Sequence, residues 1–191
     1  MNSDPDLSGA VLAGGASRRM GRPKHGIRLG GETLLQRQLR ALREAGAEAR
    51  WISLGCHQEM KTMDMASSPG PEIRFVRDAE PGLGPLSGLS AVMDAVETPW
   101  TLVLAVDLPA MTAGFLRQLL ARKGDGMGVV PCISGRFEPL AALYPKALAP
   151  ELRSRLQRRD LALQQMVRDG IASGHLTALE VLSRDQALFS N

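Results

Sequence analysis

The sequence predicts an α/β domain on a mostly parallel sheet, because short apolar runs alternate with helical patterns along the whole chain. A second observation agrees. Polar, charged motifs follow directly on several of the apolar runs, where an open α/β sheet binds its ligands. The predicted strands are Gly9 to Ala13, Arg50 to Leu54, Ile73 to Val76, Thr101 to Val106, Gly128 to Pro131, Leu140 to Tyr144 and Thr177 to Val181. Between them, Thr33 to Ala45 carries leucines at 34, 35, 39 and 42, the spacing of one helix face, and Gly46 supplies its stop. Leu86 to Val96 and Ala113 to Arg122 repeat that pattern, with Thr112 as N-cap of the latter. Ala66 to Pro71, with its small residues, glycine and prolines, reads as a surface loop. No internal repeat or linker breaks the chain, so residues 1–191 are expected to form one domain.

Composition narrows the function classes. With 191 residues, of which 44% are hydrophobic, the chain can build an ordinary core, and its formal charge is +3. Of 23 basic residues only Lys24, Lys61, Lys123 and Lys146 are lysine, and arginine suits bidentate recognition of phosphate. A compositional bias gives the same excess. Aromatic residues make up 4% and no basic block is interleaved with them, so a nucleic-acid surface is not expected. The polar, acidic start MNSDPDLSG lacks the pattern of a signal peptide, and no apolar run approaches the length of a spanning helix, so the expectation is a cytoplasmic protein without a membrane role. Cys56 and Cys132 have no cysteine nearby and read as reduced thiols; His25, His57 and His175 show no ligand spacing.

The stretch Leu12 to Lys24, LAGGASRRMGRPK, is the most informative of the chain. Gly14 and Gly15 let the backbone leave the first strand through conformations that other residues avoid, so that N–H groups face an anion. Arg18, Arg19, Arg22 and Lys24 then supply positive charge. The stretch is neither a G-x-G-x-x-G dinucleotide fingerprint nor a P-loop, since the glycines are adjacent and Lys24 is followed by His25. A strand ending in a Gly-Gly turn with solvated arginines is the bland alternative. Asp107 closes the run LVLAV, where a core prefers an apolar residue, and a carboxylate there needs a partner. Magnesium takes one or two carboxylates plus substrate phosphates, which makes Asp107 the candidate metal ligand. It lies too early to cap the helix that begins near Thr112. Asp78 precedes the turn Gly82-Leu83-Gly84-Pro85-Leu86 and either contacts a nucleoside or initiates that turn. The loop at 14 to 24, Asp78 and Asp107 each follow a predicted strand, and this convergence argues for one site.

The string L-A-G-G-x-S-x-R-M-G-x-P-K resembles the signature loop of nucleotidyltransferases that build nucleoside diphosphate linkages. With D-x-x-P-G-L-G-P-L-S-G from Asp78 to Gly88, L-A-V-D-L-P from Leu104 to Pro109 and G-R-F-E-P-L-A-A-L-Y from Gly135 to Tyr144, the chain resembles the molybdenum cofactor guanylyltransferases over nearly its full length. The resemblance implies a three-layer α/β/α Rossmann-like nucleotidyltransferase domain. It implies transfer of GMP from GTP to molybdenum-loaded molybdopterin with release of pyrophosphate, using Mg2+. Nucleotide contacts fall on Leu12, Ala13, Gly14, Gly15, Lys24, Asp78 and Asp107. Lys24 is placed near the phosphates, where it stabilises the leaving diphosphate, with Arg19 assisting, while Arg18 and Arg22 face water. Lys24, Arg19 and Asp107 are thus the implied catalytic set. Arg136 and Glu138 lie near the region that holds the pterin in such enzymes, or form a surface ion pair. The basic stretch Arg153, Arg155, Arg158 and Arg159 reads as a solvated helix face. The chain departs from the family in two places: it carries Ser53-Leu54-Gly55 where many relatives have asparagines, and it shows only Asn191 of the family's N-x-N-T-P. Alternatives are CTP with the same pterin, a nucleotide with a sugar or polyol phosphate, or a non-catalytic nucleotide- or cofactor-binding module. A monomer is expected, with passing contacts to a cofactor-donating protein and a target molybdoenzyme.

Overall fold

Strand β1 (Asp4–Leu12) lies near the middle of a twisted sheet, flanked by β4 (Ala47–Leu54) and β6 (Trp100–Ala105), both parallel to it. The structure is a computed structural model that describes residues 4–14, 27–55, 73–78 and 82–190. β5 (Ile73–Arg77) continues the parallel set beyond β4. On the other side come β9 (Ala141–Pro145), β7 (Gly128–Ile133) with its short partner β8 (Arg136–Phe137), and β10 (Leu176–Glu180). The order across the described sheet is β10-β7-β9-β6-β1-β4-β5. A separate hairpin, β2 (Arg28–Leu29) with β3 (Glu32–Thr33), precedes the first helix.

β9 runs antiparallel to both β6 and β7. The cause is chain length. Only the short β8 return separates β7 from β9, and a parallel partner needs a crossover of about a dozen residues or more.

Alternation along the strands divides the core into two layers. Leu7, Val11, Leu102 and Leu104 face one side, where α1 (Leu34–Ala45) and α3 (Ala113–Ala121) pack; Ala10, Leu12 and Val103 face the other, under α2 (Pro85–Ala95), α4 (Ala149–Gln157) and α5 (Leu163–Ala172). This is the three-layer α/β/α arrangement. Helix α1 starts at a capping box, in which Thr33 Oγ1 accepts from the Gln36 N–H and Gln36 Oε1 from the Thr33 N–H. It stops at Gly46, whose φ of 110° only glycine adopts cheaply. Thr112 caps α3 by accepting from the Phe115 N–H. The last turn, Ser183–Phe189, rests on α3 through an edge-on contact of Phe189 with Phe115.

Several expectations are corrected. The first strand begins at Asp4, five residues before Gly9, because its polar start still pairs with β4. The basic stretch at 153–159 is not simply a solvated face. Arg155 is 3% exposed, and its guanidinium meets Glu151, Asp160 and Asp169, binding α4 to α5. The predicted loop at 66–71 lies outside the described residues.

Candidate active site at the carboxyl edge of the sheet

Four strand exits are tied together at one edge. The Ala13 N–H donates to Ser53 O at 2.9 Å, the Val106 N–H to Leu12 O at 3.1 Å, and the Asp78 N–H to Leu54 O at 3.0 Å. Gly14, Gly55, Asp78 and Asp107 therefore leave β1, β4, β5 and β6 at the same end, which is where an open α/β sheet binds ligand. Leu12 and Ala13 bury their side chains in the core and present only backbone to this edge.

Gly14 is required by space. A Cβ there would fall 2.9 Å from Gly55 N and 3.3 Å from Asp78 Oδ2. Helix α2 reaches the same place from above. Gly84, at φ 66° and ψ −165°, turns the chain into Pro85 at the helix start, and Gly88 lets the first turns settle on β4 and β5. A Cβ on Gly88 would stand 2.6 Å from Ser53 Oγ and 3.3 Å from Asp78 Oδ1. The first turns of α2 thus lie beside the Asp78 carboxylate; Pro85 brings no N–H there, and the Ser87 N–H donates to Gly84 O at 3.2 Å.

Asp78 is half-buried, and Ser53 Oγ donates to its Oδ1 at 3.2 Å. Burial raises its carboxyl above the ordinary range, and the Ser53 hydrogen bond only partly offsets this. Ser53 was read in the sequence as a departure from the family's asparagines; in the fold it holds Asp78. Glu138, half-buried in the return from β8 to β9, is also raised by burial, against the pull of Arg136. Its N–H donates to Pro131 O and its carbonyl accepts from the Ala141 N–H, while Ala105 N–H donates to Leu140 O, so this return abuts the exit of β6. Asp107 is half-buried two residues beyond β6.

Of the sequence-predicted site residues, Leu12, Ala13, Gly14, Asp78 and Asp107 meet at this edge. Gly15, Arg18, Arg19, Arg22 and Lys24 lie outside the described residues. Sequence reasoning gave Ser53 no place in the site and passed over Gln38, a polar residue on the apolar stripe of α1 whose Nε2 donates to Leu108 O beside Asp107. A glutamine in register with leucines was the signal available.

Among the described residues no three His, Cys, Asp or Glu side chains gather as a closed metal centre. The donors at the edge are carboxylate oxygens. That set suits a hard cation held jointly with substrate phosphates, not a soft or structural metal.

An α/β fold with backbone, a helix start and carboxylates converging at the strand ends defines the class: a nucleotide-handling enzyme of the doubly wound type. The chain belongs to the family of MobA-like NTP transferase domains, whose model matches residues 9–174. It is 43% identical over 164 residues to a protein of Opitutus terrae named a probable molybdenum cofactor guanylyltransferase, covering 84% of this chain and 77% of that one. Among solved structures, a nucleotidyl transferase from a Methanothermobacter species superposes with a TM-score of 0.75 at 20% identity, over 97% of this chain and 91% of that one. Molybdopterin-guanine dinucleotide biosynthesis protein A from Archaeoglobus fulgidus gives a TM-score of 0.71 at 22% identity, over 95% and 90%. Both show the same fold.

Proposed function

We propose that this nucleotidyltransferase moves GMP from GTP onto the phosphate of molybdenum-loaded molybdopterin, producing the guanine dinucleotide form of the cofactor and pyrophosphate. The observation that carries the reading is the meeting of Gly14, Asp78 and Asp107 at one edge, in a chain closely related to a protein named for that reaction. A phosphate oxygen of the acceptor attacks the α-phosphorus of GTP, the bond to the bridging oxygen of the β-phosphate breaks, and pyrophosphate leaves. The nucleophile is already an anion, so the protein supplies alignment and charge neutralisation and needs no covalent intermediate.

In this reading Asp107 would hold Mg2+, which when bound would supply neutralisation of the charge on the departing pyrophosphate. Lys24 and Arg19 act on the same phosphates. Gly14 and Gly15 bring backbone N–H groups to them, and Asp78 with the start of α2 engages the nucleoside. The protein works as a one-domain monomer in the cytoplasm, meeting a cofactor donor and a target molybdoenzyme only in passing.

Pyrophosphate release in the presence of molybdopterin acceptor and magnesium, with each of GTP, CTP, ATP and UTP, tests this. Release dependent on both magnesium and acceptor, and fastest with GTP, is the expected result. Preference for CTP would transfer the activity to the cytidylyl reaction, and nucleotide binding without any release would reduce the chain to a binding module.

A further inference from the structure

Two consecutive side chains of α1 hold two consecutive carbonyls directly after Asp107. Gln38 Nε2 donates to Leu108 O at 2.6 Å, and Arg37 donates to Pro109 O at 3.1 Å. The carbonyl of Leu108 also accepts from the Met111 N–H at 3.1 Å, which closes the turn. Since a carbonyl can only accept, the amide of Gln38 must present its nitrogen. Gln38 is 0% exposed and lies among Leu34, Leu35, Leu39 and Leu42, where an aliphatic side chain would pack without polar cost. Its Oε1 has no hydrogen-bond partner among the described residues. A buried amide with one atom satisfied and one orphaned is an expensive way to fill that space. Among the described residues, its one side-chain hydrogen bond goes to the peptide adjoining Asp107.

We propose that Gln38, assisted by Arg37, is the positioning residue of the site: it fixes the Leu108 peptide and thereby the direction in which Asp107 presents its carboxylate to the cation. The proposal rests on the reading of Asp107 as cation ligand. Outer groups of this kind matter because a ligand that must rotate into place binds more weakly, by about tenfold or more in cation affinity.

The test is Q38M, which keeps the volume and removes both the donor and the orphaned oxygen. Mn2+ binding followed by electron paramagnetic resonance on the GTP-bound protein gives a readout separate from turnover, and melting temperature and kcat are measured alongside. Cation affinity and kcat should each fall about tenfold, with GTP affinity in the absence of cation and the melting temperature close to those of the wild type. K146M is the control. Lys146 donates to Met93 O and Val96 O at the far end of α2, so its loss should lower melting without changing cation affinity. Wild-type cation affinity in Q38M, whether or not the protein melts earlier, overturns the positioning role, provided D107N loses cation binding. If D107N itself binds Mn2+ normally, it is the metal reading of Asp107 that fails. Should Q38M not fold, R37M, at a partly exposed position, carries the same test with a smaller shift in the same direction.

Discussion

Asp78 shows what the site costs at the level of one residue. Its carboxyl is raised in the folded protein, chiefly by burial, so the native state binds its proton more tightly than the unfolded chain does. The stability that goes with the protonated form is complete below the unfolded pKa and is lost as pH rises through the native one. At neutral pH the ionised group is therefore a burden on the fold, one that the proposed nucleotide contact would explain. Asp78→Asn, whose amide oxygen can still accept from Ser53 Oγ, should melt at or above the wild-type temperature at pH 7 to 8, with the difference vanishing towards pH 4. The GTP-induced rise in melting temperature should shrink in the same variant. Melting below wild type across the whole pH range would make Asp78 a structural residue instead. Asp78 and Asp107 stand out in the sequence because carboxylates at the ends of apolar runs are conspicuous. Ser53 and Gln38 do not, since their partners lie 25 and 70 residues away and nothing local reveals them.

The element that closes the site is α2, and its approach is set by Gly88. Glycine inside a helix ordinarily costs about 0.5–1 kcal/mol relative to alanine, so propensity alone favours Gly88→Ala. Space decides otherwise. The new methyl would fall 2.6 Å from Ser53 Oγ, and relieving that overlap moves α2 off β4 and Asp78, a change of the overpacking kind worth about 1–3 kcal/mol. Net destabilisation is expected, together with a weaker thermal response to GTP. Gly114→Ala in α3 is the comparison, because its methyl would meet only Thr112 Oγ1 at 3.7 Å and should leave stability unchanged or slightly raised. Denaturant unfolding of the two variants checks both signs; equal effects would mean that α2 does not depend on Gly88 for its seat. Apolar spacing made α1, α2 and α3 predictable, and Thr33, Thr112 and Gly46 marked ends of α1 and α3, whereas α5 was not foreseen. How closely a helix approaches the sheet depends on which small residue faces which side chain, and no periodicity encodes that.

At the scale of the whole molecule, the far side of the fold is bound by Arg155. Its guanidinium reaches Glu151 at 2.8 Å, Asp160 at 2.5 Å, and Asp169 on α5. Arg155, with Gln165 helping, holds the Asp169 carboxyl below its ordinary value. A lowered carboxyl contributes stability above its unfolded pKa and loses it as pH falls through the native value, so the wild type should weaken on the acid side of pH 4. Arg155→Met removes the charge common to all three carboxylates. It should cost about 1–2 kcal/mol, or about 2–8 °C in melting temperature, and flatten the acid limb of the stability curve. A melting temperature and acid limb like those of the wild type would show that the three carboxylates need no common partner. In the sequence this arginine was one of a basic series and looked solvated. Charge tells which residues prefer water, but burial is decided by what packs across from them. The same division runs through the whole protein. Alternating apolar runs and helix caps sufficed for the fold class, because those signals are local and repeat along the chain, while the family was legible through the resemblance carried by the motifs at 12–24, 78–88, 104–109 and 135–144. The hold of Ser53 on Asp78 and the brace from Gln38 came only with the folded chain, because they join segments 25 and 70 residues apart that a linear pattern cannot bring together; the direction of β9 and the burial of Arg155 came with it too, because one depends on the short β8 return and the other on what packs across from a charged helix face.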